Sequence, residues 1–283
     1  MEVKKNVSLK EKNTLGIDSY AEFYSEVETE SELKEAIKFA KDNNVSLRVL
    51  GLGSNVLLPT GTLKGLIVVI NNKKVEISDD GIVGLGAGAI LGSVIQTLAE
   101  KNYDLSPFVG YPSTVGGAVV GNSGTMNIGF GDYLVSAVIY DANTGEKEQW
   151  VKETFIFDYR YSALKEEKNK IFWEAEFKFP EVDNVKEKMA ELLKERIEKQ
   201  PKGKSAGCFF RNTENFSAGY LIDQCGLKGK KIGGAEVSEK HANFFVNSGE
   251  ATSGNFMKLI ELARTQVKAR FGLDLQLEIE IFQ

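Results

Sequence analysis

The chain has 283 residues, room for two or three domains at roughly 100–200 residues each, and its 42% hydrophobic content can fill real cores. Its 35 Lys and Arg against 40 Asp and Glu leave a net charge of −5, which argues against nucleic acid or an anionic membrane surface as the main partner. No stretch approaches the roughly 18 continuous apolar residues of a membrane span and no charged leader is evident, so a soluble, cytoplasmic protein is expected.

Behind a polar N-terminal tail, Thr29 and Glu32 stand at capping-box spacing, and Leu33, Ala36, Ile37 and Ala40 recur at helical intervals, predicting a helix over about 30–43. A short apolar run, Leu47 to Leu50, the loop Gly51-Leu52-Gly53-Ser54-Asn55 and a second apolar run, Leu66 to Ile70, complete a β-α-β-loop-β reading. Residues 74–78 and 82–85 read as a hairpin across Asp79-Asp80-Gly81, followed by Gly84, Gly86 and Gly88 and by a helix with Leu91, Val94, Ile95 and Leu98 on one face. A second glycine-rich loop runs from Gly110 through Pro112-Ser113-Thr114-Val115-Gly116-Gly117-Ala118 to Gly121-Asn122-Ser123-Gly124. Such a density of small residues is one that a packed helix or strand interior would not favour.

Strands follow at about 134–141, 147–151 and 171–179. The segment Pro180-Glu181-Val182-Asp183-Asn184 combines turn formers with a change from strand-like to helical periodicity and marks a domain boundary. Beyond it, Val185, Met189, Leu192, Leu193 and Arg196 define a helix into Lys199-Gln200-Pro201, and Phe256, Leu259, Ile260, Ala263 and Val267 define a longer one. From Leu275 to Ile281 strict alternation predicts a strand with Glu278 and Glu280 on the face opposite Leu277 and Ile279.

Cys208 and Cys225 form no Cys-x-x-Cys pair and suit reduced thiols, a single bridge being the alternative. With one histidine, His241, zinc sites and His-based triads are poorly supplied, so no metal is expected and a cofactor is expected to bring any chemistry. A glycine loop after a strand lets backbone N–H groups approach a diphosphate, and Ser54 and Asn55 add hydrogen bonds. Alone, that loop is equally a tight turn, and it lacks the Gly-x-Gly-x-x-Gly spacing of a Rossmann turn. Two such loops, each after a β-α segment, suit a long dinucleotide held from both sides.

Between 196 and 231, Arg196, Lys199, Lys202, Lys204, Arg211, Lys228, Lys230 and Lys231 outnumber Glu198, Glu214 and Asp223 and bracket Ser205-Ala206-Gly207-Cys208-Phe209-Phe210-Arg211-Asn212. A solvated basic face is the usual meaning of such a run, but its position here points to an anionic substrate. By themselves Cys208 reads as a small buried hydrophobe, His241 as a packed, hydrogen-bonded residue, and Arg160 and Glu278 as unremarked charges.

Four ordered blocks go further: Gly-x-Gly-Ser-Asn-x-Leu at 51–57, Pro-x-Thr-Val-Gly-Gly-Ala at 112–118, Tyr-Arg-x-Ser at 159–162 and Ser-Ala-Gly-Cys-Phe-Phe-x-Asn at 205–212. With residues 218–229, Ile232-Gly233-Gly234-Ala235 and Lys240-His241-Ala242-Asn243, they make the chain from about Asn13 onward resemble the UDP-N-acetylenolpyruvoylglucosamine reductases, flavoenzymes that make UDP-N-acetylmuramic acid for peptidoglycan. The resemblance implies an α+β fold: an FAD-binding domain pair of the vanillyl-alcohol-oxidase-like type over 1–72 and 73–183, and a C-terminal α/β substrate-binding domain for the UDP-sugar over 184–283, its last strand returning Glu278 to the active site. FAD would be held by Gly51, Gly53, Ser54, Asn55, Val56 and Leu57 and by Pro112, Ser113, Thr114, Gly116, Gly117, Ala118, Gly121 and Asn122. Lys199 and Asn212, with Arg196 secondary, would contact substrate beside Arg160, Cys208 and Glu278, and the basic strip would meet the UDP diphosphate and the enolpyruvyl carboxylate.

By the same resemblance NADPH reduces FAD and leaves, and hydride then passes from the flavin to the methylene carbon of UDP-N-acetylglucosamine enolpyruvate. Arg160 and a protonated Glu278 would stabilise the enolate, and Cys208, where the family more often has serine, would protonate the carbon next to the carboxylate. Ser113 stands where the family commonly has glycine, and Glu280 where an arginine often follows the catalytic glutamate. The short span between Ser162 and Ser205 leaves little room for a tyrosine-bearing insertion, which matches the shorter subgroup. A monomer without nucleic-acid or membrane partners is expected. The competing readings are a flavin-binding carrier without reductase activity, against which Arg160, Cys208 and Glu278 together argue, and a flavin oxidase on another substrate, against which the Cys208 block and the basic strip argue.

Overall fold

The computed structural model describes residues 1–125 and 127–282. The chain divides into two compact units, the first made of Met1–Lys5, Phe23–Leu52 and Gly65–Glu195, the second of Asn6–Glu22, Gly53–Lys64 and Arg196–Gln283.

In the first unit α1 (Glu30–Asp42) opens on the predicted capping box: Thr29 Oγ1 accepts from the Glu32 N–H at 3.3 Å and the Glu32 carboxylate accepts from the Thr29 N–H at 3.1 Å. Its stripe of Leu33, Ala36, Ile37 and Ala40 is the buried one. Strand Leu47–Val49 lies parallel to 66–68, with Leu47 opposite Leu66. The predicted hairpin, Val75–Ile77 with Val83–Gly86, joins Lys170–Phe177, Leu134–Asp141 and Lys147–Val151 in that order in a five-stranded antiparallel sheet. Ala175 and Phe177 point into the core while Glu174 and Glu176 emerge opposite, as the two-residue period of a strand requires. α2 (Leu91–Ala99) adds Leu91, Val94, Ile95 and Leu98 to the same core.

Where the second glycine-rich loop is predicted, Val115–Gly121 is instead a helix, α3, capped by Thr114, whose Oγ1 accepts from the Gly117 N–H at 3.1 Å. The glycines serve approach: a Cβ on Gly116 would stand 3.2 Å from both the Cβ and the carbonyl oxygen of Ala87. Close packing has outweighed the poor helix propensity of glycine. The predicted polar tail is also corrected, because Lys4–Ser8 and Ser19–Val27 are strands. In Ser19–Val27 the buried positions include Ser19 and Ser25 while Tyr20 and Phe23 are only partly buried, so the apolar residues do not alternate and announce no period of two. α4 (Val185–Lys199) starts where the change of periodicity at 180–184 places it.

In the second unit, strands Lys204–Cys208, Phe244–Asn247, Ala235–Val237 and Lys231–Ile232 form an antiparallel sheet in that order. α5 (Ala218–Gln224) and the predicted α6 (Ser253–Phe271) complete its core, in which Phe209 stacks on Phe245 with ring centroids 4.5 Å apart. α6 ends on Gly272 at φ 72°, a left-handed cap that glycine adopts without strain.

The predicted strand over 275–281 is broken. Leu277 bridges Phe210, the chain bends at Glu278 and Ile279, and Glu280–Ile281 pairs parallel with Val56–Leu57. The segment changes partner half-way: the Glu278 N–H donates to the Phe209 carbonyl and the Glu280 N–H to the Asn55 carbonyl, each at 2.9 Å.

One half-buried charge cluster ties the first unit's sheet together. Lys170 Nζ lies 2.9 Å from Asp141 Oδ2 and 2.6 Å from Glu148 Oε1, with 14% of the lysine side chain exposed. The Lys170 hydrogen bond, ahead of those from the Asn143 and Thr144 N–H groups, holds the Asp141 carboxyl at about 2, and bonds to Glu148 and then Asp141 raise Lys170. Asp141 therefore contributes stability that is complete above its ordinary 3.8 and is lost as pH falls toward about 2, whereas the contribution of Lys170 is lost only as pH climbs past 10.5. Lys170→Met is expected to cost about 1–3 kcal/mol at neutral pH, between the limits for exposed and buried pairs. Denaturant melts should show the difference from wild type shrinking as the buffer is taken to about pH 3. Among the described residues no helix is long and apolar enough to cross a membrane.

Candidate active site

The two glycine-rich segments differ in what their backbones have left to offer. After the Leu50 N–H, which donates to the Val68 carbonyl at 2.9 Å, none of the N–H groups from Gly51 through Asn55 has an acceptor among the described residues. Gly53 is required there: at φ 63° a Cβ would meet the Lys12 carbonyl and lie 2.7 Å from the Asn13 Cα. A run of unspent, partly buried donors fits the diphosphate of FAD. At α3 the donors are spent, since Val115 N–H bonds the Ala89 carbonyl, Gly116 N–H the Ala87 carbonyl and Gly117 N–H the Thr114 hydroxyl. Ser113 Oγ likewise donates to the Thr114 carbonyl at 2.8 Å. What residues 112–118 present to a ligand is therefore small side chains and close approach rather than a helix N-terminus.

The far end of α3 carries Arg160. Its hairpin, Phe157–Asp158 with Tyr161–Ser162, is held by Ser162 Oγ donating to the Val120 carbonyl at 2.6 Å and by Asn122 Nδ2 donating to the Asp158 carbonyl at 2.8 Å. Asn122 Oδ1 also accepts from the Gly131 N–H at 3.0 Å, so the carboxamide of this predicted cofactor residue is engaged within the fold, and Gly121 beside it closes the helix. Arg160 itself has φ 56°, its carbonyl accepts from Lys165 Nζ at 2.7 Å, and its guanidinium lies 5.8 Å from the ring centroids of Tyr111 and Tyr159.

The second unit brings Asn55, Cys208 and Glu278 onto adjoining backbone. Cys208, half-buried, ends the strand Lys204–Cys208 just after a register shift against Phe244–Asn247, where Gly207 at φ 76° supplies the extra residue of a bulge. Phe209, the next residue, accepts from the Glu278 N–H, while Asn55 Nδ2 donates to the Glu278 carbonyl at 3.2 Å. Val56 and Leu57 extend this contact by pairing with Glu280 and Ile281. Asn212 Oδ1 accepts from the Ala218 N–H at 3.0 Å, which fixes the start of α5. Lys199, the last residue of α4, is exposed.

The basic strip is partly neutralised: Lys228 pairs with Asp223 at 2.8 Å and Lys231 with Glu236 at 3.3 Å. His241 is packed and hydrogen-bonded, as expected, with Nδ1 accepting from the Asn243 N–H at 3.3 Å and burial pushing its pKa below the ordinary histidine value. Cys225 caps α5, its thiol pKa pushed up by burial. One contributor escapes sequence reasoning. Asn13, 5% exposed, spans the turn beside Gly53 by donating to the Leu9 and Ile17 carbonyls and accepting from the Ile17 N–H. A polar residue in a polar segment carries no local signal of burial.

Comparison with known proteins decides the family. A model of the FAD binding domain matches residues 21–147, and a model of the UDP-N-acetylenolpyruvoylglucosamine reductase C-terminal domain matches residues 199–282. The UDP-N-acetylenolpyruvoylglucosamine reductases of Moorella thermoacetica and Protochlamydia amoebophila are 34% and 36% identical to the chain, over 100% and 97% of it and 94% and 92% of their own lengths. The chain belongs to the UDP-N-acetylenolpyruvoylglucosamine reductase family. The crystal structure of a UDP-N-acetylenolpyruvylglucosamine reductase from Thermus caldophilus matches it over 100% of both chains with a TM-score of 0.85 and 32% identity. The expected α+β architecture, an FAD-binding part followed by the reductase C-terminal domain, is thus the one found, and the chain is an FAD-dependent oxidoreductase.

Proposed function

We propose that this reductase-family chain converts UDP-N-acetylglucosamine enolpyruvate to UDP-N-acetylmuramate at the expense of NADPH, as a cytoplasmic monomer serving peptidoglycan precursor synthesis. Residues 1–72 and 73–183 hold the cofactor in this reading, and 184–283 hold the UDP-sugar. When bound, FAD would supply the hydride chemistry between NADPH and the enol ether. In this reading the unspent N–H groups of Gly51, Gly53, Ser54 and Asn55 bind its diphosphate, and Val56, Leu57, Pro112, Ser113, Thr114, Gly116, Gly117, Ala118, Gly121 and Asn122 are its other contacts. Lys199 and Asn212 orient the UDP-sugar.

Negative charge develops on the carboxylate side of the substrate as its methylene carbon is reduced. Arg160 meets that charge with a fixed guanidinium, and a protonated Glu278 donates a hydrogen bond to it. Cys208 Sγ then gives its proton to the carbon bearing the carboxylate, which saturates the double bond and leaves a thiolate to be reprotonated from solvent. The observation that carries this reading is the Glu278 N–H bonded to the carbonyl of Phe209, the residue after Cys208, which supports an acid and a thiol acting on one substrate.

The test is the visible spectrum of the FAD-loaded protein under anaerobic conditions. Bleaching of the flavin band by NADPH and its return on adding the enolpyruvyl sugar are expected. A reduced flavin indifferent to that sugar sinks the proposal, leaving a carrier if oxygen reoxidises it slowly and an oxidase if oxygen does so fast.

A further inference from the structure

The turn at 238–243 is built around polar side chains. Ser238 Oγ accepts from the Lys240 and His241 N–H groups at 3.1 and 3.3 Å, and His241 Nδ1 accepts from the Asn243 N–H. This turn delivers Asn243, 2% exposed, beside the two residues that follow Cys208. The Asn243 carbonyl accepts from the Phe209 N–H at 2.9 Å, its Oδ1 accepts from the Phe210 N–H at 3.0 Å, and its Nδ2 donates to the Phe210 carbonyl at 2.8 Å.

The residue thereby extends the strand Phe244–Asn247 past its end, its carboxamide doing for Phe210 what the backbone of a partner strand would do. On their other edge the same two phenylalanines meet the C-terminal segment, Phe209 through the Glu278 N–H and Phe210 through its bridge to Leu277. Both rings are fully buried, so water cannot replace these bonds if the carboxamide is lost. The bulge at Gly207 leaves the direction of Cys208 dependent on what grips the chain immediately after it.

We propose that Asn243 is the positioning residue for the Cys208 thiol and the Glu278 carboxyl, acting on both through the backbone of Phe209 and Phe210; the catalytic part of this inference rests on the reductase reading above. Its place in the block Lys240-His241-Ala242-Asn243 does not announce this role, since Asn in a turn ordinarily serves the turn itself.

The test uses the full-length, FAD-loaded protein in a Cys225→Ser background, where Cys208 is the remaining thiol. Asn243→Ala removes the clamp, and Asn243→Asp keeps the acceptor for the Phe210 N–H while losing the donor to the Phe210 carbonyl. In both, flavin reduction by NADPH is expected within about two-fold of the parent, while reoxidation by the enolpyruvyl sugar slows about 100-fold with KM little changed, the scale of effect for reacting groups misplaced by about 1 Å. The rate of iodoacetamide alkylation at Cys208 should shift several-fold in the same variants. Folded variants whose sugar-dependent reoxidation and alkylation both stay within about two-fold of the parent overturn the proposal. So does an equal loss in both half-reactions, which would make Asn243 scaffold alone. If Asn243→Ala fails to fold, Asn243→Asp decides. If the parent ignores the enolpyruvyl sugar, the reductase reading fails, and the alkylation comparison decides the positioning claim by itself.

Discussion

Cys208→Ala is expected to leave the reduction of bound flavin by NADPH intact and to slow its sugar-dependent reoxidation by roughly 10²–10⁴-fold, the usual worth of a positioned proton donor. In the proposed mechanism the two half-reactions would separate because hydride transfer into the flavin needs no proton from residue 208, whereas the reduced enol ether cannot finish without one. A thiolate has no proton to give, so the second half-reaction should fail on the alkaline side in the native enzyme, and alkylation of Cys208 should reproduce the alanine phenotype. Cys208→Ser keeps an O–H at the same bulge and should retain far more activity than alanine, without the alkaline loss that belongs to the thiol. Stopped-flow traces of each half-reaction check this, and full turnover in Cys208→Ala would remove the assignment.

Arg160→Gly is expected to separate backbone strain from charge. Among the described residues with positive φ outside glycine, Asn6, Asn44, Asn102, Asn122 and Asn184 belong to the type that tolerates this region; Arg160, at φ 56°, and Glu250, at φ 48°, do not. Glycine there should relieve about 1 kcal/mol of strain and leave the melting temperature equal or higher. The sugar-dependent half-reaction should nevertheless fall by roughly 10²–10³-fold, the cost of removing one fixed donor from a developing anion. Arg160→Lys should recover only part of that loss, because an ammonium cannot reproduce a planar guanidinium beside the Tyr111 and Tyr159 rings. A strained residue retained where glycine would be more stable is a sign of function. Unimpaired reoxidation in Arg160→Gly would mean that the strained conformation serves the hairpin alone.

Much of the local structure was legible before any coordinates. The Thr29–Glu32 capping box, the apolar stripe of α6 and the start of α4 after the turn at 180–184 follow from short-range rules, because caps and amphipathic faces are satisfied within a few residues. The four motif blocks carried the family, and the comparisons bear it out. Where glycines accumulate, however, the sequence cannot say whether they loosen a loop or admit a close neighbour. At Gly53 the Lys12 carbonyl and at Gly116 the Ala87 backbone answer that, and both lie far away in the chain.

By itself the sequence determined the chemistry on offer: a thiol, a guanidinium, a carboxyl and glycine-rich segments able to approach a diphosphate. It also determined α1, α2, α6 and the central strands, whose burial repeats with a period that can be read. Only the tertiary structure decided that residues 275–281 break at Glu278, that Asn55 and Phe209 grip Glu278 from separate segments, and that Asn243 holds Phe210. Periodicity reports which side chains are buried. In irregular segments every buried N–H and carbonyl must still find a partner, and that partner is set by the three-dimensional path of the whole chain.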